Sequence, residues 1–252
     1  MREMVGPTEE SFFDNPTGGP VFRAVSLEQY ACVFDLGCGC GRLARQLIQQ
    51  EPRPGSYVGV DPHLGMVKWC RENLQVFAPE FAFHHHDIFH QAFNPSSSSP
   101  KPAVLALPVP DGHVTLFIAW SVFTHVTERA ADFYLQELSR VLHPDGVAIT
   151  TWFLFDKRDY PMMQDFQNAL FINDLDPTNA VIFDRAWLRR RVEEEGLVIA
   201  DVKAPAIRGF QWEVRLTRGG PSRRHVDFPE DAAPRGSKPP PLSPSDADKI
   251  GL

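Results

Sequence analysis

The segment Val33-Phe34-Asp35-Leu36-Gly37-Cys38-Gly39-Cys40-Gly41-Arg42 constrains this chain more than any other. A short apolar run ends in an acid, three glycines follow at every second position, and an amphipathic stretch begins. The pattern predicts a buried strand, a tight turn and a helix N-terminus. Glycine lets the backbone approach a ligand closely and adopt dihedrals that a Cβ forbids. The first helical amides lack internal partners and are expected to face that ligand. A dinucleotide fingerprint, G-x-G-x-x-G, would need its third glycine at position 42. Arg42 stands there, and the third glycine is Gly41. The spacing therefore disfavours a nicotinamide-dependent enzyme.

Three further segments repeat the design. Tyr57-Val58-Gly59-Val60-Asp61 is an apolar run ending in an acid, with Asp61 twenty residues after Gly41. That distance leaves room for one helix and a return strand, and a carboxylate there can accept from both hydroxyls of a ribose. A cap on the following helix is the lesser alternative. Phe81-Ala82-Phe83-His84-His85-His86-Asp87-Ile88 alternates and predicts a third strand ending near Asp87. Its histidine run raises a metal reading, with His84 and His86 on one strand face and His85 on the other. No nearby H-E-x-x-H or C-x-x-C pattern completes a metal site, and none is expected. Val114 to Ala119 is almost wholly apolar, as suits a central parallel strand covered on both faces. Trp120-Ser121-Val122-Phe123-Thr124-His125 follows it. Glu128 to Leu142 reads as a helix stopped by His143-Pro144-Asp145-Gly146.

In this order, D-x-G-x-G-x-G, the second acid, the third acid, S-V-F-T-H and the helix leading into a P-x-G turn resemble the class I S-adenosylmethionine-dependent methyltransferases of small-molecule type. The resemblance covers roughly residues 11 to 217. It implies a Rossmann-like, doubly wound α/β sheet of seven strands in the order 3-2-1-4-5-7-6, last strand antiparallel, with helices on both faces. It also implies S-adenosylmethionine as cofactor. Asp35 would lie near the cofactor's cationic group, Asp61 on the ribose, and Asp87 and Ile88 on the adenine. Gly37, Cys38, Gly39 and Ala119 complete the implied cofactor site. His125 is the candidate general base, because an imidazole titrates near working pH and lies at the carboxyl edge of the sheet; a purely structural His125 is the alternative. Trp120, Phe123, Asp156 and Gln211 are candidate acceptor contacts, although Trp120 and Phe123 could be core.

Composition narrows the class. The net charge of −7 argues against a nucleic-acid partner. Arg189-Arg190-Arg191 runs straight into Glu193-Glu194-Glu195, which reads as a charged helix face. No apolar run reaches the ~20 residues of a membrane span, and no signal peptide is evident, so a cytoplasmic location is expected. The four cysteines, Cys32, Cys38, Cys40 and Cys70, suggest reduced usage.

Along the chain, residues 1–30 form a lead-in whose Phe12, Phe13 and Phe22 could cover the cofactor. Residues 31–217 form the main domain. A helical cap over the active site is expected at about 156–183, where Met162, Met163, Phe166, Leu170, Phe171, Ile172 and Leu175 cluster; an extension of the core is the alternative. The proline- and serine-rich loop 94–110 is expected to be functional or flexible. Residues 218–252, with seven prolines, are expected to be disordered. The implied activity is methylation of a small molecule, on the oxygen of a sugar, lipid-linked saccharide or secondary metabolite. N- or C-methylation and a non-catalytic cofactor- or partner-binding role stay open. The expected partner is the small-molecule acceptor, with no membrane insertion and a monomer or homodimer.

Overall fold

The computed structural model describes residues 12–98, 104–207, 211–220 and 223–229. Strand β1 (Cys32–Leu36) leads to α1 (Arg42–Ile48), β2 (Ser56–Asp61) to α2 (Leu64–Asn73), and β3 (Phe81–His85) closes the first half. The second half runs β4 (Val114–Ala119), α3 (Glu128–Val141), β5 (Leu142–Phe155), β6 (Ala169–Phe171), β7 (Val181–Asp184), α4 (Arg185–Glu194), β8 (Leu197–Ile207) and β9 (Gln211–Arg218). Strands β3, β2, β1, β4 and β5 are mutually parallel, and β9 lies antiparallel between β5 and β8. Counting β8 and β9 as sixth and seventh, this is the 3-2-1-4-5-7-6 sheet expected from the sequence, and the fold class stands.

The sheet is covered on both faces because its strands alternate between two apolar sets. Val33, Leu116, Ile118 and Ile149 pack with Ala44, Leu47, Val67 and Cys70 from α1 and α2. Phe34, Phe117, Ala119 and Trp152 pack on the other face with Tyr134, Leu135, Leu138 and Leu188 from α3 and α4. Phe34 stacks on Phe117 at 5.4 Å and Phe123 on Trp152 at 4.0 Å. Helix caps set the entry angles: the Thr127 side chain accepts from Ala130 N, and Asp184 accepts from Trp187 N.

Three expectations about organisation need correction. Residues 156–183 form no helical cap. They make two 3-10 turns (157–159 and 177–179) and a β6–β7 hairpin, whose β7 pairs in parallel with the end of β5. This hairpin raises the strand count among the described residues from seven to nine. The apolar side chains there do not extend the core either, since Met162, Phe166, Ile172 and Leu175 are exposed. The chain beyond 218 does not leave the domain at once. Phe228 is buried against Trp212, and Val226 N donates to Ile199 O. A lone aromatic can anchor a segment whose average composition is polar, which composition alone conceals. The rest of that tail, 230–252, lies outside the described residues, as do 1–11. The loop 94–110 is pinned at both ends. Asn94 and Ser98 bind Asp87, while Glu137 and Arg140 hold the backbone of Leu107 and Val109.

Candidate functional site

The carboxyl ends of β1, β2 and β4 open into a cleft of about 520 Å³, the place where open α/β sheets bind ligands. Asp35, Gly37, Cys38, Gly39 and Asp61 line one side. Trp120, Ser121, His125 and Gln211 line the other, with Ile88 also on the wall. Phe12, Val21 and Phe22 from the lead-in border the cleft. Six of the eight residues expected to hold the cofactor are therefore brought together, as are two of the four acceptor contacts and the candidate base. Ala119, Phe123, Asp87 and Asp156 are the exceptions.

The turn after β1 uses its glycines for different reasons. A Cβ on Gly41 would lie 2.3 Å from Leu74 Cδ1 and 3.0 Å from Cys70 Sγ, so this glycine lets α1 approach α2. A Cβ on Gly37 would meet Val122 Cγ2 at 2.5 Å. Gly39 (φ 54°) has nothing within 4 Å of its Cβ position, and it is the one that leaves room on the cleft side. The amides of the turn that precedes α1 are taken up within the protein. Gly37 N and Cys38 N donate to Val60 O, Gly41 N to Cys38 O, and Gly39 N to Asp61 Oδ2. The turn is locked to β2 by its own backbone, and side chains carry the cleft's charge.

Two buried acids supply that charge. Tyr57 Oη donates to Asp35 Oδ2 at 2.6 Å, and the pair is fully enclosed in the sheet. Burial pushes the Asp35 carboxyl up to about 7, against the downward pull of the Tyr57 bond; the Asp61 charge adds to the rise. Asp61 is also raised by burial, opposed by the amides of His63 and Gly39, each donating at 2.8 Å. Each Asp61 oxygen already takes one amide and keeps a further lone pair for hydroxyl donors. Two carboxylates desolvated in one apolar cleft favour a ligand bearing positive charge and hydroxyl donors. Asp61 does not cap α2; the His63 side chain does.

At the end of β3 the sequence reading fails in part. Asp87 does not line the cleft. Its carboxylate holds Asn94 and Ser98, and these bonds depress it to about 2. Ile88 does line the cleft. Among the histidines, His84 is exposed, His85 contacts Pro62 O, and His86 is buried with Nε2 2.9 Å from Tyr134 Oη. Burial lowers His86 to about 4, so it is neutral at pH 7. No group of three or more His, Cys, Asp or Glu among the described residues could hold a metal ion. Ala119 is also a correction: it is fully buried in the core beneath the cleft, not in its wall.

On the acceptor side, His125 ends a 3-10 turn (123–125). Its Nδ1–H donates to Thr178 O at 3.1 Å, so Nε2 is the basic nitrogen of the neutral ring. His90 Nε2–H donates to His125 O at 3.2 Å, and its Nδ1 accepts from the amides of Ala92 and Phe93. Phe93 meets the His125 ring edge-on at 6.1 Å. Trp120 lies 6.4 Å from Phe22. Phe123 is core, stacked on Trp152, because the 3-10 turn rotates it away from the cleft. Asp156 is no acceptor contact: it caps the 157–159 turn and pairs with Arg158.

Tyr57, Ser121, His90, Phe93 and Tyr134 were missed from the sequence. Tyr57 sits two residues into an apolar strand, where its phenol reads as core. Ser121 has φ 58°, the one non-glycine positive φ among the described residues, and no composition rule marks it. His90 and Phe93 lie in a stretch without periodicity. Tyr134 could have been found, since it shares the buried face of α3 with Leu138 and Val141.

Residues 34–148 match a family model described as a methyltransferase domain. Solved structures share the fold at low identity. The O-methyltransferase NcsB1 from neocarzinostatin biosynthesis, solved with S-adenosylmethionine and a naphthoic acid, is 14% identical with a TM-score of 0.50, over 77% of this chain and 50% of that one. The chain thus spans about half the length of that protein. A chain of the Haloferax volcanii complex containing the Trm112 methyltransferase activator is 16% identical, with a TM-score of 0.53, over 78% of this chain and 86% of its own. The cyclase SpnF is 15% identical, with a TM-score of 0.51 and 75% coverage of each. No helix among the described residues is long and apolar enough to cross a membrane.

Proposed function

We propose that this chain, whose residues 34–148 match a methyltransferase domain, uses S-adenosylmethionine to methylate a hydroxyl of a small molecule held between Trp120 and His125, with His125 as the general base. The cleft fits the cofactor: Gly39 leaves space, and Asp35 and Asp61 are desolvated acids on one wall. When bound, S-adenosylmethionine supplies an electrophilic methyl group on a sulfonium. Asp35 meets a cationic group, and Asp61 accepts from paired hydroxyls. Ile88 offers apolar contact to the adenine. The cleft walls would exclude water, and His125 Nε2 would take the acceptor's hydroxyl proton.

The observation that carries this reading is the His125 tautomer. A ring whose Nδ1–H is committed to Thr178 O keeps Nε2 as its proton acceptor, in the same cleft as the two acids. An acceptor present as a free amine would need positioning more than a base. The acceptor's identity belongs to the same proposal: a hydroxylated metabolite, by the size and aromatic walls of the cleft. His125→Ala is expected to keep cofactor affinity and to lose about 10²–10⁴-fold in single-turnover rate, and the wild-type rate should rise with pH as the imidazole becomes neutral. A variant within a few-fold of wild type, with an unchanged pH profile, would assign His125 to the structure of its turn.

A further inference from the structure

The least favourable backbone conformation in the described chain lies in the wall of the cleft. Ser121 follows β4 with φ 58°, a region that L-residues other than Gly, Asn and Asp seldom enter. Two hydrogen bonds hold it there. Its amide donates to Thr151 Oγ1 at 2.7 Å, and its hydroxyl donates to Gln211 Oε1 at 2.9 Å. Gln211 begins β9, is buried, and lines the cleft. In this orientation the carbonyl oxygen accepts from Ser121 and the NH₂ is the end of the amide left to the cleft. That NH₂ has no hydrogen-bond partner among the described residues and is accessible from the cleft, so its two donors can meet a ligand there. A donor in a ligand cleft favours a ligand that brings an acceptor, because one that covers it without an acceptor leaves it unpaired.

We propose that Ser121 and Gln211 form a donor subsite that holds a second oxygen of the methyl acceptor, a carbonyl, carboxylate or ether oxygen near the hydroxyl presented to His125. This rests on the reading that the acceptor lies between Trp120 and His125. Gln211 touches the acceptor, and Ser121 is a positioning residue that fixes the amide. The subsite accepts oxygenated substituents and penalises ammonium groups, which bring only donors. A serine serves at 121 because Gly would supply the backbone conformation without the hydroxyl, and Ala neither.

The test uses the full chain saturated with S-adenosylhomocysteine and two neutral ligands of matched shape, acetophenone and α-methylstyrene. They differ in a carbonyl oxygen against a methylene. Protein-detected NMR follows the side-chain amide of Gln211, assigned by its loss in Gln211→Glu, and the Trp120 indole. Acetophenone should shift both signals. The affinity ratio of acetophenone to α-methylstyrene should fall about 10-fold in Gln211→Met and at least as far in Gln211→Glu, with S-adenosylhomocysteine affinity unchanged. Ser121→Gly, which tolerates the φ, should lower the ratio part-way and narrow the Gln211 amide signals as the side chain becomes mobile. A ratio unchanged in every variant that folds overturns the subsite. Shifts at Trp120 with none at Gln211 overturn the subsite alone. Shifts at neither residue overturn the placement of the acceptor in this cleft, and the subsite with it.

Discussion

Tyr57→Phe removes a single oxygen from a stacked, fully buried ring, yet it should change the pH at which the cofactor binds. Tyr57 Oη donates to Asp35 Oδ2 at 2.6 Å, while the ring lies 4.8 Å from Phe81 and should stay in place. That bond opposes the burial that pushes the Asp35 carboxyl up to about 7. A hydrogen bond to a charged group contributes ~1.5 kcal/mol or more, so its loss raises the acid by about one further pH unit. If the ionised carboxylate faces the cofactor's cationic group, affinity tracks its ionised fraction. The variant should then bind S-adenosylhomocysteine about 10-fold more weakly at pH 6 and about 3-fold more weakly at pH 7.5. Calorimetry between pH 5.5 and 7.5 checks this, below the range where the ligand's own amino group titrates. In buffers of different ionisation enthalpy, wild-type binding near pH 6.5 should release a proton, and Asp35→Asn should abolish both the release and the pH dependence. The ligand-free chain gives the converse effect. The folded-state pKa of Asp35 exceeds the unfolded value of 3.8, so the folded chain keeps a proton that the unfolded chain has lost. Stability from this group is full below about pH 4 and falls as pH rises towards 7, by roughly 4 kcal/mol in all. Affinities flat across the range in wild type and Tyr57→Phe alike would refute the assignment of Asp35 to the cationic group.

Three other substitutions have expected outcomes. Asp61→Ala should weaken cofactor binding by ~1.5–3 kcal/mol in calorimetry and also strip the Gly39 amide of its partner; wild-type affinity would remove Asp61 from the site. Gly41→Ala adds a Cβ that would lie 2.3 Å from Leu74 Cδ1 at a φ of 76°, and should cost ~2–4 kcal/mol in denaturant unfolding through overpacking and backbone strain. Phe228→Ala should cost ~3 kcal/mol by opening a cavity between Trp212 and Arg185; an unchanged melting temperature would mean the 223–229 segment contributes nothing to the domain.

Most of the architecture was legible in the sequence because both faces of a parallel sheet must be apolar and its crossovers must be helices. The alternation of Val33 with Phe34, and of Leu116 and Ile118 with Phe117 and Ala119, fixes two cores with no other information. Asp184 and Gly196 bounded α4 as a capping residue and a stop should. What failed lies where sequence patterns are ambiguous about direction. Asp87 has the residue type and position of a cofactor contact, but Asn94 and Ser98, seven and eleven residues on, offer it nearer partners. Phe123 and Trp120 are three residues apart in one turn, and the backbone's twist into a 3-10 turn decides that one faces the core and the other the cleft. Composition could not see Phe228, because burial depends on a single contact and composition averages over thirty-five residues.

The same limit explains the acceptor side of the cleft. The cofactor half is made from strand ends and a glycine turn, where residue order and spatial order coincide. The acceptor half is assembled from Ser121 after β4, Gln211 at the start of β9 and Thr178 in the insertion after β6. These residues lie up to ninety positions apart; the antiparallel return of β9 beside β5 brings Gln211 to Ser121, and the pairing of β7 with the end of β5 brings Thr178 to His125. No local motif can encode such a meeting, so motif order speaks to the cofactor half of the cleft and leaves the acceptor open. The geometry narrows that gap in one respect. In the proposed arrangement a base oriented by Thr178 and a donor oriented by Ser121 both read oxygen, and the two are held by separate elements. Altering one should therefore leave the other's effect intact: His125→Ala should change turnover more than acceptor affinity, and Gln211→Met the reverse. In the double variant the two losses should add to within about 0.5 kcal/mol, as for independent sites. Strong non-additivity in that cycle would mean that His125 and Gln211 hold the same acceptor atom.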